Sequence, residues 1–384
     1  MRRGLSGRYE VSTTAGERVE AFVPDPLPPV PALDLSGALQ PLLERAALAL
    51  GRLDSMSTLL PDTALFLYSY VRKEAVLSSQ IEGAQSSLSD LLLFEIEQAP
   101  GAPLDDVVEV SGYVAALEHG LARLRGGFPM SSRLIREVHA KLLERGRGSD
   151  KEPGELRRSQ NWIGGTRPGN AHYVPPPHTE VIECISQLER FLHDESSGLQ
   201  YIVKAGIAHA QFESIHPFLD GNGRVGRLLI TLLLCDYRVL IEPLLYLSLF
   251  FKEHRDEYYR LLDAVRLEGD WEGWLTFFLE GVAETASGAV DTARELSRLF
   301  DDDRRRIQVM GRKAGSALRV HEALTARPLL TLREAVARSG LSFPATSAGM
   351  DGLAELGVAR ELTGKKRNRV FAYDRYLTML AAGT

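Results

Sequence analysis

Apolar residues recur three and four positions apart through most of the first 300 residues. The spacing is clear in "LQPLLERAALALGRLDSM", "EVSGYVAALEHGLARL" and "SRLIREVHAKLLERG", and it resumes in "TEVIECISQLERFLHD" and "YIVKAGIAHAQFESI". This period is typical of α-helices with one buried face. The pattern therefore predicts a mainly α-helical protein.

Three stretches depart from this pattern. Residues 1–34 contain "PDPLPPVP" and are expected to form an irregular, extended arm. Residues 161–177, "NWIGGTRPGNAHYVPPP", are rich in glycine, proline and aromatic residues, which predicts a hairpin or an ordered loop. Residues 271–306 keep the helical spacing without a clear break, and they predict one long helix or a pair of helices.

The last seventy residues differ in charge and pattern. Residues 312–384 carry +6, so the rest of the chain carries −12. Three helical segments are followed by two β-rich runs around the basic turn "TGKKRN", and Thr331 and Glu334 stand at capping-box spacing in a helix that ends at Gly340. This order resembles a winged helix-turn-helix. Such modules bind DNA in some cases and mediate contacts between proteins in others.

Composition narrows the class of protein. The chain of 384 residues is 44% hydrophobic and 25% charged, with a formal net charge of −6, which does not suggest a general binder of nucleic acid or membranes. Two cysteines without metal-ligand spacing are consistent with a reducing cytoplasm. The N-terminus lacks a secretory pattern, and the most apolar region is interrupted by Asp236, Arg238, Glu242 and Pro243, so no membrane span is expected.

Residues 216–227, "HPFLDGNGRVGR", join two apolar helical segments. Gly221, Gly223 and Gly226 match the G-x-G-x-x-G pattern, but a dinucleotide-binding loop follows a β-strand, and here a helical segment precedes it. The P-loop sequence Gly-Lys-Ser/Thr is also missing. Glycines at the start of a helix instead predict a nest of backbone N–H groups that binds an anion at the helix N-terminus.

The side chains around this nest suit the phosphates of a nucleotide. Asp220 can bind Mg²⁺ together with phosphate oxygens, Asn222 can offer its amide, and Arg224 and Arg227 can both reach phosphate oxygens. His216 has the pKa range of a general base that accepts a hydroxyl proton. The alternative is a helix-loop-helix turn with glycine caps, surface arginines and a buried histidine.

These residues carry a resemblance to the Fic family. The stretch fills every position of the motif H-x-F-x-[DE]-G-N-G-R-x-x-R, and "SSQIEG", at residues 78–83, resembles the inhibitory helix [ST]-x-x-x-E-[GN]. "NWIGG" and "HYVPPP" stand where the family has its flap hairpin, and residues 250–281 resemble the segment after the motif. The resemblance covers about residues 30–380.

The resemblance implies a fold and a domain organisation. The expected fold is mainly α, with an all-helical Fic core, a β-hairpin flap and a small C-terminal winged helix-turn-helix domain. We expect an N-terminal arm and helices at 1–128, which include an inhibitory helix at 73–95. A catalytic core at 129–285, a helical linker at 286–312 and a winged-helix domain at 313–384 would follow.

The resemblance also implies an activity. Fic enzymes mostly transfer AMP from ATP to a Ser, Thr or Tyr hydroxyl of a protein and release pyrophosphate. On this basis His216 is the general base, Asp220 holds Mg²⁺ or Mn²⁺, and Phe218 anchors the loop. The residues implied for ATP binding are Glu82, His216, Gly221, Asn222, Gly223, Arg224, Arg227 and Tyr259.

Individual positions refine this expectation. Arg227 is expected at the γ-phosphate, and glycine at position 223 favours AMP transfer because phosphorylating relatives carry lysine there. Tyr259 matches the family's tyrosine beside the adenine ring, although a core aromatic residue is the alternative. The flap, at Ile163, Gly164 and Gly165, is expected to hold an extended target backbone.

Ser78, Glu82 and Gly83 form the inhibitory pattern. If their helix packs beside the nest, Glu82 can form a salt bridge with Arg227 and occupy the place of the γ-phosphate. The expected protein is therefore an autoinhibited adenylyltransferase that also modifies itself. A glutamate on an exposed helix surface is the alternative.

Other functions and partners stay open at this stage. The chain could remove AMP or transfer another nucleotide or phosphocholine, or it could be an ATP-sensing regulator that binds DNA through the winged helix. The expected partners are a protein with an acceptor hydroxyl, a second copy in a homodimer, and DNA as a hypothesis for the C-terminal module.

Overall fold

A computed structural model describes residues 2–14, 16–59, 63–97, 104–364 and 368–381. The described chain is mainly helical, as expected. Among these residues, no helix combines the length and the apolar character needed to cross a membrane.

The N-terminal segment is ordered, contrary to the irregular arm expected from its prolines. Strands β1 (Gly7–Thr14) and β2 (Glu17–Pro24) form an antiparallel hairpin. Val19, Ala21, Phe22 and Val23 of β2 are buried, and the Phe22 amide donates to the carbonyl of Val174 at 2.9 Å. Apolar residues of β2 therefore fix the hairpin against the rest of the protein before the prolines begin.

Four helices fill the first third of the chain: α1 (Leu39–Leu59), α2 (Thr63–Ile81), α3 (Leu88–Glu97) and α4 (Leu104–Arg125). The expected single helix at 73–95 is wrong, because α2 ends at Ile81 and α3 begins at Leu88. Gly83 has a φ of +102°, which ends the helix in a conformation that glycine tolerates best. Glu82 thus lies in a turn at the end of α2.

The turn after α2 is held by specific hydrogen bonds. The Gln80 side chain donates to the Ser86 carbonyl at 2.9 Å and accepts from Lys252 at 2.7 Å. Asp106 of α4 accepts from the amide of Gln85 at 2.7 Å. These contacts tie the position of Glu82 to α4 and to the C-terminal part of the core.

The central helices are α5 (Ser132–Leu142), α6 (His178–His193), α7 (Tyr201–Ile215) and α8 (Asn222–Asp236). Every residue of α7 from Ile202 to Ile215 is buried. Such a helix has no solvent face and forms the middle of the core. The stretch 216–221 joins α7 to α8, so the motif loop emerges from the centre of the molecule.

The glycine- and proline-rich region is a sparse hairpin rather than a regular one. Its single antiparallel bridge pairs Ile163 with Tyr173, and a 3₁₀ turn at Pro168–Asn170 lies at its tip. The sequence predicted a hairpin or an ordered loop, and the structure has features of both.

Three helices follow the motif: α9 (Ser248–Glu253), α10 (Arg255–Glu268) and α11 (Trp271–Gln308). Of the two alternatives left by the sequence, a single helix is correct for 271–308. It crosses the expected boundary at 285/286 without a break, and α1 packs along it. The core and the C-terminal segment therefore share one continuous helix.

The C-terminal elements follow in the order α12 (Ala314–Ala326), β3 (Leu329–Thr331), α13 (Leu332–Ser339), α14 (Phe343–Glu355), β4 (Arg360–Glu361), β5 (Val370–Ala372) and α15 (Asp374–Leu380). The strands form an antiparallel sheet in the order β3-β5-β4. The capping box of Thr331 and Glu334 is confirmed, and Gly340 caps α13 with φ +65°. Residues 365–367 of the expected basic turn lie outside the described residues. The arrangement is consistent with a winged helix-turn-helix.

His209 on α7 predicts how stability responds to acid. Its Nδ1 lies 2.9 Å from the Gly226 carbonyl and its Nε2 lies 2.9 Å from the Tyr258 hydroxyl, and burial lowers its pKa from 6.5 to about 3. A neutral ring satisfies both contacts, with Nδ1–H donating and Nε2 accepting. As pH falls below 6.5, the unfolded chain binds this proton before the folded chain does.

The stability that comes from neutral His209 is therefore present above pH 6.5 and is lost as the pH falls toward about 3. We expect His209→Gln to reduce the pH dependence of the free energy of unfolding by up to about 1.4 kcal/mol per pH unit in this window. Urea unfolding measured at several pH values checks this, with His178→Gln as control, because His178 is exposed. An unchanged slope in His209→Gln would contradict it.

Candidate active site

The motif loop is fixed at both ends by left-handed residues. His216 caps α7 with φ 49°, and Gly221 caps the start of α8 with φ 74°. Phe218 is fully buried and stacks on His139 with ring centroids 3.7 Å apart, which supports the anchoring role expected for it. His139 also joins the loop to α5, because its Nε2 lies 3.0 Å from the carbonyl oxygen of Asp220.

Asn222 braces this loop with its side chain. Its Oδ1 accepts from the Phe218 amide and its Nδ2 donates to the Phe218 carbonyl, each at 2.9 Å. The amide that the sequence offered to a phosphate is thus engaged inside the loop, and Asn222 is buried. In this conformation its side chain stabilises the backbone of the loop that forms the nest.

Arg157 is a second brace, which sequence reasoning missed. Its side chain is buried and donates to the carbonyls of His216 at 3.0 Å, Ser159 at 3.2 Å and Pro176 at 2.5 Å. It therefore connects the base of the flap to the residue expected to act as base. The only sequence signal was an arginine close to the flap, and its long-range partners could not be inferred from that.

His216 is a neutral imidazole in this environment. Burial lowers its pKa to about 3, the charge of Arg157 acts in the same direction, and Glu82 and the Glu213 carbonyl act against them. A ring that is neutral at physiological pH can accept a proton, as a general base must.

Glu82 contacts both arginines of the motif. Its Oε1 lies 2.8 Å from Nη2 of Arg227, and its Oε2 lies 3.0 Å from Nε of Arg224. Arg227 also donates to the hydroxyl of Ser78 at 2.7 Å and to its carbonyl at 2.9 Å. The structure therefore brings together Ser78, Glu82 and both arginines, as the inhibitory pattern predicts, and Arg224 is an additional partner.

The charges in this group stabilise one another. Burial would raise the pKa of Glu82, but the nearby Arg227 and Arg224 outweigh it and hold the pKa below its ordinary value. The side chains of Arg224 and Arg227 are 0% and 2% exposed, and that of Glu82 is 18% exposed. Buried cations of this kind require an anionic partner.

Gly223 makes the approach of Glu82 possible. A Cβ atom at this position would lie 2.5 Å from Oε1 of Glu82 and 3.0 Å from Nη1 of Arg227. The family resemblance predicts a role in phosphate binding for this glycine, and the structure adds a second reason for it. Any side chain here would push the Glu82 carboxylate away from the arginines.

Glu109 of α4 is another residue that sequence reasoning missed. It is 2% exposed, and its Oε1 lies 3.0 Å from Nη1 of Arg224. Burial raises its pKa, and the charges of Arg224 and Arg147 partly offset this. An acid four positions before the buried Tyr113 was the available signal, since it places Glu109 on the apolar face of its helix.

Arg224 retains hydrogen-bonding capacity in spite of these carboxylates. None of its three side-chain nitrogens makes a hydrogen bond to a described residue, although Glu82, Glu109 and Asp220 lie within 4 Å. Donors that are buried and still available are suited to an additional anion such as a phosphate.

Asp220 is suitably placed to hold a divalent cation. Its side chain is 30% exposed, and Oδ1 accepts from the Gly221 amide at 2.7 Å. Among the described residues, no group of three or more His, Cys, Asp or Glu side chains could hold a metal ion by itself. A lone carboxylate beside an anion nest suits Mg²⁺, which takes phosphate oxygens and water as its remaining ligands.

Glu213 of α7 also faces the site and was not predicted. Its Oε1 is buried without a hydrogen-bond partner among the described residues, and burial raises its pKa to about 7. A Cβ on Gly226 would lie 2.2 Å from this oxygen. The third glycine of the motif is therefore required by helix packing in addition to any role in anion binding.

Tyr259 lies at the surface, which argues against the alternative that it is an aromatic residue of the core. It is 39% exposed, with the guanidinium of Arg255 5.3 Å from its ring centroid. Its neighbour Tyr258 is buried instead. An exposed ring at this position is compatible with the expected contact to an adenine.

The flap supplies backbone groups at its outer edge. The Ile163 amide donates to Tyr173 at 2.8 Å, and its carbonyl accepts from Tyr173 at 3.1 Å. Gly164 and Gly165 have φ of +67° and +71° and are exposed. Both backbone groups of Ile163 are therefore bonded to Tyr173 within the flap. The backbone groups of its neighbours, which point away from this partner, are better placed to hold a target.

Two family models match this chain. Residues 40–122 match the Fic/DOC family N-terminal region, and residues 129–234 match the Fic/DOC family. Protein adenylyltransferase Fic from Drosophila yakuba is 32% identical over 188 residues, and that from Drosophila melanogaster is 31% identical over the same length. These matches cover 48% of this chain, which spans only about a third of the length of these relatives (34% and 35%).

Solved structures show the same fold. A Fic family protein from Desulfovibrio desulfuricans G20 superposes with a TM-score of 0.60 at 20% identity, over 89% of this chain and 97% of that one. Fic-1 from C. elegans gives a TM-score of 0.52 at 25% identity, over 68% of this chain and 74% of that one. With the N-terminal and catalytic models matched in order and the fold shared, this chain belongs to the Fic/DOC family.

Proposed function

We propose that this protein is an adenylyltransferase that moves AMP from ATP to a Ser, Thr or Tyr hydroxyl of a protein, itself included. The observation that carries the proposal is the placement of His216 at the start of a glycine loop that leads to the N-terminus of α8 and to two buried arginines, Arg224 and Arg227. The Drosophila relatives named protein adenylyltransferase Fic support the same activity.

The chemistry follows from these groups. The hydroxyl oxygen of the target attacks the α-phosphorus, the bond between this phosphorus and the bridging oxygen of pyrophosphate breaks, and His216 accepts the hydroxyl proton. The products are the AMP-modified protein and pyrophosphate. Because His216 caps α7 and Arg157 donates to its carbonyl, the backbone that carries the proposed base is held by buried structure.

The triphosphate binds where charge and free donors coincide. The N-terminus of α8 offers unpaired backbone N–H groups and a positive dipole end, and Arg224 and Arg227 supply two fixed positive charges. Asp220 would hold Mg²⁺, whose charge would neutralise the phosphates during transfer. Orientation of the α-phosphate relative to His216 then depends on where the γ-phosphate is held.

Glu82 is proposed to inhibit by occupying the γ-phosphate's place. Its carboxylate is already paired with Arg227 and Arg224, so a γ-phosphate must compete with it for the same donors. An ATP that loses this competition can still bind, but its α-phosphate is turned away from in-line attack.

The base assignment predicts a separation of binding and catalysis. His216→Ala should lower AMP transfer by roughly 10²- to 10⁴-fold, the usual contribution of a general base. ATP affinity should change little, because the nest and the arginines hold the phosphates. Transfer assays with labelled ATP and calorimetry of ATP binding test this together. A folded His216→Ala protein that no longer binds ATP would show that the assignment is wrong.

The metal role of Asp220 predicts a change in Mg²⁺ dependence. Asp220→Asn should lower AMP transfer at least about tenfold, and a large excess of Mg²⁺ should not restore it fully. Asp150→Asn is the matched control, because Asp150 is an exposed acid whose carboxylate pairs with Lys151. Activity of Asp220→Asn that equals that of the control, with or without divalent metal, would exclude the role.

Inhibition by Glu82 predicts a gain of activity. A charge-assisted contact of this kind is worth about 1.5–3 kcal/mol, so Glu82→Gly should raise the rate of self-modification roughly 10- to 100-fold. Arg227→Ala in the same chain should remove the gain, because a freed γ-phosphate then lacks its arginine. Rates of wild type, both single variants and the double variant form the complete cycle. Equal rates for wild type and Glu82→Gly would mean that the switch lies elsewhere.

A further inference from the structure

The loop that follows α5 lies directly against the anion nest. Gly146 and Gly148 have φ of +78° and +86°, which is backbone geometry that glycine adopts easily. A Cβ on Gly148 would lie 2.6 Å from Oδ2 of Asp220, and one on Gly221 would lie 3.5 Å from Leu143. The two glycines therefore bring Arg147 beside the metal-binding carboxylate and the start of α8.

The Arg147 side chain belongs to the same charge cluster as the motif arginines. Its Nε lies 3.8 Å from Oε2 of Glu109, whose other oxygen lies 3.0 Å from Arg224. Neither oxygen of Glu109 makes a hydrogen bond to a described residue. Glu109 thus stands between a buried arginine and an exposed one, and binds both by charge alone.

Arg147 differs from the motif arginines in accessibility. Its side chain is 53% exposed, whereas that of Arg224 is 0% exposed. Its charge reaches the centre of the site nevertheless, because it contributes to lowering the pKa of Glu82. An exposed arginine on a glycine-flanked loop can change partners at little cost, since its ion pair with a described residue is a long contact with one carboxylate.

We propose that Arg147 is a third phosphate-binding arginine. It exchanges its contact with Glu109 for one with the pyrophosphate part of a nucleoside triphosphate. The inference rests on the proposed function, because it names a further residue for the same substrate. In the resting protein Glu82 and Glu109 pair with the arginines, and a triphosphate takes over these pairings. Arg147 covers the phosphates on the solvent side, where pyrophosphate departs.

The chain offers a matched control for this role. Arg145 lies in the same loop, is exposed, and makes no ion pair with a described carboxylate. We would introduce Arg147→Ala and Arg145→Ala separately into the Glu82→Gly protein, where the phosphate site is free. Calorimetry with Mg²⁺ would then give affinities for ATP, AMP and inorganic pyrophosphate, and thermal unfolding would verify folding.

We expect Arg147→Ala to bind ATP and pyrophosphate about tenfold more weakly, as for loss of one charge-assisted contact. AMP affinity should stay the same, and Arg145→Ala should match its parent for all three ligands. Arg147→Lys should recover part of the loss, because it keeps the charge without the planar fork.

The outcomes separate this inference from the proposed function. Equal pyrophosphate affinity for the Arg147→Ala and Arg145→Ala proteins would overturn the inference, even if AMP transfer proceeds. This holds whether both variants match the Glu82→Gly parent or both lose the same pyrophosphate affinity, because an equal loss would reflect the general charge of the loop. A Glu82→Gly parent that binds pyrophosphate through Arg147 but transfers no AMP would contradict the proposed function and would still support the inference.

Discussion

One carboxylate, that of Glu82, is shared between two buried arginines, and the candidate site depends on this contact. Arg224 and Arg227 lie almost fully inside the protein, where an unpaired charge costs roughly 3–5 kcal/mol. Arg224 also has Glu109 as a partner, whereas Arg227 is paired with Glu82 and would need a phosphate in its place. In the proposed function, inhibition by Glu82 and binding of a phosphate are two ways of meeting the same electrostatic requirement.

The helix that carries Glu82 is held on several sides. Glu74 of α2 accepts from the Ser248 hydroxyl at 2.5 Å, and the Ser69 and Tyr376 hydroxyls lie 3.4 Å apart in a buried contact with α15. Arg327, at the end of α12, lies 4.6 Å from the ring of Tyr68. The C-terminal module thus packs on the helix that leads into Glu82.

The sequence predicted what is local and could not predict what is assembled over long distances. The loop between two helices, the Thr331 capping box and the glycine cap at Gly340 follow from residues a few positions apart. The β-hairpin at the N-terminus was missed because the prolines after it dominated the pattern, and the break at Glu82 was missed because apolar spacing continues across it. Arg157 and Glu109 were missed because their partners are distant in sequence.

The ratio of ATP affinity to ADP affinity, compared between wild type and Glu82→Gly, tests the central claim most directly. The two nucleotides differ only in the γ-phosphate, which we propose competes with Glu82 for Arg227. The proposed competition predicts nearly equal affinities in wild type, because Arg227 stays paired with Glu82. In Glu82→Gly it predicts a preference for ATP of at least about tenfold, the worth of one charge-assisted contact. The same ratio in both proteins would contradict the account.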